Sequence, residues 1–378
     1  MKHLFFTAAF ALIATTAFAA TDLPKNNQVL TWTQAQRDVG FAHMERIVPA
    51  RTVHAGGHVH RFGKGAALKL SVDVDAYMAH QRAVGLIVIH DNKIVVERYA
   101  SGFTARDRWT SFSVAKSFTS TLAGAALKDG AIRSLDDKVT DYIPDLRGSA
   151  YDDVTVRQLL TMTSGVKWNE DYTDPNSDVA KFIDVPADPG VDVTVSYMRK
   201  LPRDIAPGSK WVYKTGETNL LGVLVSSATG KRLSDYLSEK IWRPYGMARD
   251  AVWMTGTTGH EISGCCISAS LRDYARLGQF IVDGGRANGM SVLPDSWLAA
   301  ATTKQAETGS ATGGYGYQWW TGNDGTFSGR GIFGQSLFID PKRRLVMVTL
   351  GDWPAAVDDA LVAERGAFWK AVQAAVEM

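Results

Sequence analysis

The chain is predicted to be an α+β protein in which an antiparallel sheet flanked by helices is assembled from both ends of the sequence, with a helical domain inserted mid-chain. Three observations predict it. Gly85-Leu-Ile-Val-Ile-His90 and Lys93-Ile-Val-Val-Glu-Arg-Tyr99 are apolar, β-branched runs joined by Asp91-Asn92, a dipeptide suited to a tight hairpin turn. Strand-like runs return late, as Tyr317-Gln-Trp-Trp320, Phe333-Gly-Gln-Ser-Leu-Phe-Ile339 and Arg344-Leu-Val-Met-Val-Thr-Leu350. Between these runs the chain reads as mainly helical, with Pro144, Pro175, Pro186, Pro189, Pro202 and Pro207 punctuating long loops. Strands at both ends with helices between them suit an α+β core. The boundaries read from this pattern are 20–112 plus 254–378 for the discontinuous sheet domain and 113–253 for the helical one.

In chain order, residues 1–19 read as a cleaved signal peptide: Lys2 precedes a short apolar run that ends at the small-residue site Ala17-Phe18-Ala19. A membrane anchor asks for about 20 apolar residues and charged flanks, so no stable anchor is expected, and the protein is placed in the periplasm or outside the cell. His54, His58 and His60 lack an acidic or Cys partner to complete a metal site, so a loop is expected there. Ala115, Phe118, Leu122 and Ala126 recur at helical spacing before Gly130, a C-cap. A second helix follows Tyr213, carrying Leu220, Leu221 and Leu224. A third begins in the serine-rich stretch at Ser268 and ends at Gly284-Gly285. The tail containing Leu361, Phe368, Trp369 and Val372 is helical.

The chain has 378 residues and a formal net charge of +2, too small to suggest a nucleic-acid or membrane-surface partner. Cys265 and Cys266 are its two cysteines. Adjacent Cα atoms lie about 3.8 Å apart, shorter than the usual disulfide range of about 4.4–6.8 Å, so a bond between them would be strained and two buried free thiols are expected.

The chemistry is carried by a few residues. Ser113 and Lys116 are three apart at a helix start, where side chains at i and i+3 are neighbours and the first N–H groups have no helical acceptor. This places a nucleophile beside its base. Alone, the pair reads more readily as an exposed first-turn serine and a solvated lysine, since Ser-x-x-Lys arises by chance in many proteins. Tyr213, at the end of a short apolar run before a helix, would sit at a pocket edge; a lysine nearby would ease its ionisation, letting a tyrosinate relay the serine proton. Gly329-Arg-Gly-Ile-Phe-Gly-Gln335 reads as a glycine-bearing strand start, a place of close backbone approach where the Ile332 N–H can pair with that of Ser113 as an oxyanion hole. The plainer reading is a β-bulge.

Ser113-Val-Ala-Lys116, Tyr213-Lys-Thr215 and the Gly329–Gln335 segment, in that order, resemble the three active-site elements of the penicillin-recognising serine hydrolases. Within that superfamily the chain is most similar to the 6-aminohexanoate-dimer (nylon-oligomer) hydrolases, through Tyr142-Ile-Pro-Asp-Leu, Asn169-Glu-Asp-Tyr172-Thr-Asp-Pro, Gln318-Trp-Trp-Thr-Gly-Asn, Gly331-Ile-Phe-Gly-Gln and Asp352-Trp-Pro. The resemblance implies a β-lactamase/transpeptidase-like fold and Tyr172 as a residue that closes over substrate. Thr215 stands where many members have Asn. The lysine- or histidine-threonine-glycine strand of true β-lactamases appears as Gly329-Arg330-Gly331, and Arg330 replaces its charge only if it points inward. No glutamate is evident for deacylation in the class A manner. Asp184, Asp188 and Asp192 remain open as partners for a substrate amino end.

The reading is an exported serine hydrolase of a small ester or amide, with Ser113, Lys116 and Tyr213 catalytic and Tyr172, Trp319, Trp320, Thr215 and Arg330 binding substrate. No metal or organic cofactor is implied. A β-lactamase or D-alanyl-D-alanine peptidase is the enzymatic alternative, and a non-catalytic penicillin-binding-like module the other.

Overall fold

The computed structural model describes residues 23–376; the signal-peptide reading lies outside them. Among these residues the main sheet has eight strands, in the order Gly313–Tyr315, Trp320–Gly322, Phe327–Arg330, Ser336–Asp340, Leu345–Gly351, Ala83–His90, Lys93–Tyr99 and Gly63–Lys64. All pairs are antiparallel except the last, where Gly63–Lys64 runs parallel to Lys93–Ile94. The hairpin forms as expected: Asp91 and Asn92 take φ of 47° and 59°, the left-handed pair of a type I′ turn, and His90 pairs with Lys93. It lies inside the sheet, since Gly63–Lys64 covers its outer edge.

Alternation along the central strands divides the core. Ile87, Ile89, Val346 and Val348 face one cluster, while Leu86, Val88, Leu345 and Met347 face the Asp359–Val376 helix through Phe368 and Trp369. On the first face lies the Leu271–Val282 helix, brought close by Gly278, where a Cβ would stand 2.4 Å from Val346 Cγ1. The Ala115–Lys128 helix lies on this side too, and all its residues from Ala115 to Ala126 are buried. Its polar side chains are matched by neighbouring carbonyls: Ser117 Oγ donates to Gln318 O at 2.9 Å, Thr119 Oγ1 to Ser263 O at 2.8 Å and Ser120 Oγ to Tyr317 O at 2.6 Å. Hydroxyls satisfied in this way are tolerated in a core.

A second, four-stranded sheet joins Ala50–Val53, Ala251–Met254, Ile267–Ala269 and Trp109–Thr110. Helix therefore gives way to strand at Ala251, just before the expected end of the helical segment. Two late strands also start later than their composition suggested, at Trp320 and at Ser336. Gln318 and Phe333 take φ of 61° and 58°, which breaks extended pairing at both places.

Candidate active site

The second sheet delivers Ser113. Ser111 donates its N–H to Ile267 O at 2.7 Å, and its Oγ accepts the Ile267 N–H at 3.1 Å, so the chain leaving Trp109–Thr110 is pinned before it turns. Phe112 then takes φ 42°, and Phe112–Val114 forms a single 3₁₀ turn leading into the helix that starts at Ala115. Lys116 comes up beneath the serine. Its Nζ donates to Ser113 Oγ at 3.0 Å, Thr215 Oγ1 at 3.0 Å and Gly264 O at 2.7 Å. The side chain is 1% exposed, and burial lowers its pKa to about 8 against an opposing pull from the Glu170 charge. Lys214, whose charge could also depress that pKa, instead lies buried with its Nζ 3.6 Å from Glu217 Oε1. Desolvation does that work.

Tyr213 sits before the Thr215–Thr229 helix, as its sequence context indicates, with Lys116 Nζ 5.1 Å from its ring centroid. Its ionisation runs opposite to expectation. Burial and the Glu170 charge both push the phenol well above its ordinary pKa, and only the Ser113 side chain works the other way. A neutral phenol is the resident form.

Glu170 organises this corner, and sequence reasoning missed it. Its carboxylate accepts the Thr215 N–H at 2.9 Å, the Tyr172 hydroxyl at 2.9 Å, the Thr215 hydroxyl and the Trp168 indole N–H. Thr215 thus accepts from Lys116 and donates to Glu170, as an Asn amide could. The available signal was the position of Glu170 two residues before Tyr172 in a segment already singled out.

Gly331 allows the Ile332 turn to approach: a Cβ there would stand 2.7 Å from Ser111 O. Ile332–Gly334 forms a short turn rather than the expected strand start. Among the described residues, neither the Ser113 nor the Ile332 N–H donates to another backbone group, and both residues line one cavity of about 640 Å³ together with Tyr172 and Thr215.

Other expected binding residues lie elsewhere. Trp319 is 1% exposed and packs edge-on against Phe327. Trp320 stacks on Tyr213 with centroids 5.6 Å apart, behind the phenol. Gly329 faces Ser117, so alternation sends Arg330 to the opposite face, over Trp320 at 5.3 Å and Phe338 at 6.0 Å. None of the three lines the cavity. Of the three aspartates, Asp188 pairs with Lys200 at 2.7 Å and Arg199 at 3.1 Å, and Asp192 caps the Val193–Met198 helix. Asp184 does line the cavity, accepting from Asn27 Nδ2 at 2.9 Å.

Cys265 and Cys266 also line it, and they are joined in a disulfide rather than free, with Cα atoms 3.7 Å apart. Cys266 takes φ 74°, a left-handed conformation that turns the two side chains towards one another.

A family model described as Beta-lactamase matches residues 73–367. The chain belongs to the beta-lactamase family. It is 34% identical over 289 residues to the 6-aminohexanoate-dimer hydrolase of Paenarthrobacter ureafaciens, covering 71% of this chain and 72% of that one. A solved structure from Bacillus anthracis that carries the provisional name 6-aminohexanoate-dimer hydrolase superposes with a TM-score of 0.77 at 23% identity, over 89% of this chain and 92% of its own. A family VIII carboxylesterase superposes with a TM-score of 0.59 at 18% identity, over 79% and 96%. Those two likenesses are of fold alone. Family membership makes the protein a serine hydrolase of the beta-lactamase superfamily with the α+β fold of that group. Among the described residues, no helix is long and apolar enough to cross a membrane.

Proposed function

We propose that the protein hydrolyses a small linear amide or carboxylic ester through an acyl-enzyme on Ser113. The observation that carries the reading is the buried Lys116 amine, 3.0 Å from Ser113 Oγ. Neutral Lys116 takes the Ser113 proton as Oγ attacks the carbonyl, and the Ser113 and Ile332 N–H groups stabilise the oxyanion. Tyr213, protonated, gives its proton to the leaving group and is reprotonated by the Lys116 ammonium. Water then attacks the ester of Ser113 and releases the acid.

The substrate reading follows the cavity. Its wall includes Val29, Leu30, Phe112 and Ile262, suited to an extended methylene chain, and Asp184 offers a carboxylate to a terminal ammonium. A 6-aminohexanoate oligomer has both features. Tyr172 closes the cavity from its Glu170 anchor. With Arg330 on the far face, the carboxylate clamp of a β-lactam is not reproduced, which favours this reading over a β-lactamase or D-alanyl-D-alanine peptidase. The depressed Lys116 pKa disfavours a silent recognition module. Residues 1–19 are read as directing export. A panel of p-nitrophenyl esters, aminohexanoate oligomers, D-Ala-D-Ala peptides and nitrocefin, with Ser113→Ala as control, tests the proposal. Nitrocefin turnover rivalling that of the esters would overturn the substrate class.

A further inference from the structure

On the sheet face turned away from Ser113, the Asp359–Val376 helix lays a charged residue into the core. Arg365 is 4% exposed, and its guanidinium carbon lies 4.9 Å from the Trp353 ring centroid and 5.9 Å from that of Phe338. Among the described residues no carboxylate stands within ion-pair distance of it, and its Nη1 makes no hydrogen bond. A guanidinium taken out of water is costly unless paired. Burial pulls its pKa down to about 10, and the positive charge of Arg330 acts in the same direction. Arg330 shares the Phe338 ring with it, from 6.0 Å.

The groups around this pair can all donate. Ser336 lies opposite both Arg330 and Thr349 in the sheet, and Tyr77 is stacked on Phe368, one turn along the helix from Arg365, with Thr349 beside its hydroxyl. The buried oxygens of Tyr77, Ser336 and Thr349 and the Trp353 indole nitrogen have no hydrogen-bond partner. Two cations and several unmatched hydroxyls form the donor set that an anion requires; the Glu364 charge also reaches Tyr77, but that carboxylate is engaged with His80 Nδ1 at 2.8 Å and Gln81 Nε2 at 2.6 Å. Arg330 is exposed at the surface and is steadied by a 2.9 Å bond from its Nε to Ser328 Oγ, which provides a way in from solvent.

We propose that Arg365 and Arg330, with the hydroxyls of Tyr77, Ser336 and Thr349, form a binding site for a small inorganic anion, separate from the active site. The site supports the catalytic turn from behind. Trp353, over whose ring Arg365 lies, donates its backbone N–H to Phe333 O at 3.1 Å and packs its indole against Gly334, the two residues that follow Ile332.

The test compares thermal unfolding of the purified protein in sodium bromide or sodium phosphate with sodium gluconate at equal ionic strength. At roughly ten times the dissociation constant, bromide or phosphate raises Tm by roughly 2 °C in a saturable manner. Crystals soaked in bromide show an anomalous peak at hydrogen-bond distance from the Arg365 guanidinium. Arg365→Met abolishes both effects, and its own Tm without anion is retained or raised, because an apolar chain replaces an unpaired ion. If that variant fails to fold, Thr349→Val reads the same site by raising the anion concentration at half-saturation several-fold. A wild type that does not respond, a peak without a shift in Tm, or an equal shift in Arg365→Met and Thr349→Val each overturns the proposal.

Discussion

The Glu170 carboxylate receives both the backbone N–H and the hydroxyl of Thr215, and that same hydroxyl accepts the Lys116 ammonium at 3.0 Å. One anion is therefore linked to the proposed base through a single side chain, and to the Tyr172 hydroxyl directly at 2.9 Å. Glu170 opposes the burial that depresses the Lys116 pKa. Removing its charge in Glu170→Gln lowers that pKa further, since less stabilisation of the ammonium remains. The acid limb of kcat/KM must then move to lower pH. A limb that stays in place means that the carboxylate does not act on the lysine.

The Lys116 pKa of about 8 sets the wild-type profile. Below that value the amine is protonated and cannot accept the Ser113 proton, so kcat/KM falls as pH drops and levels off above it. Lys116→Arg keeps the charge but does not deprotonate in the working range, and is expected to lose about 10²–10⁴-fold in acylation. Stopped-flow acylation against pH measures both. Ser113→Ala should lose on the order of 10⁴–10⁶-fold and escape labelling by a fluorophosphonate.

Tyr213 is held neutral, so its expected contribution is proton donation. Amines leave poorly without a proton, whereas p-nitrophenolate leaves unaided. Tyr213→Phe should therefore lower kcat about 10²–10⁴-fold on an amide and far less on a p-nitrophenyl ester. Equal losses on both substrates in steady-state assays would assign the residue to packing against Trp320.

Asp184 is a specificity residue in the proposed function. Asp184→Asn is expected to raise KM roughly tenfold for an aminohexanoate oligomer bearing a terminal ammonium, and to leave KM for a neutral ester of the same length unchanged. Parallel increases for both substrates would show that the loop, rather than the charge, had been disturbed.

The sequence by itself determined what depends on local spacing. An i,i+3 relation across a continuous helical turn puts Lys116 beneath Ser113, and Asp91-Asn92 supplies the left-handed pair that turns its hairpin. The order of the serine–lysine, tyrosine and glycine-rich segments was also enough to indicate the family. Tertiary structure decided whatever rests on separate segments meeting in low dielectric. Glu170 becomes important only because a loop brings it to Thr215, and the same carboxylate, with burial, keeps Tyr213 protonated where a nearby lysine alone argued for ionisation. Lys214 neighbours Tyr213 in sequence, yet the fold commits it to Glu217. Arg330 lies two residues from Ile332, yet strand alternation carries it away from the cavity, as burial does Trp319. Cys266 needed a left-handed backbone to bring its sulfur to Cys265, a conformation that neighbouring residue types do not encode. Ionisation, side-chain facing and backbone hand are set by the whole packed environment, and spacing along the chain carries little information about any of them.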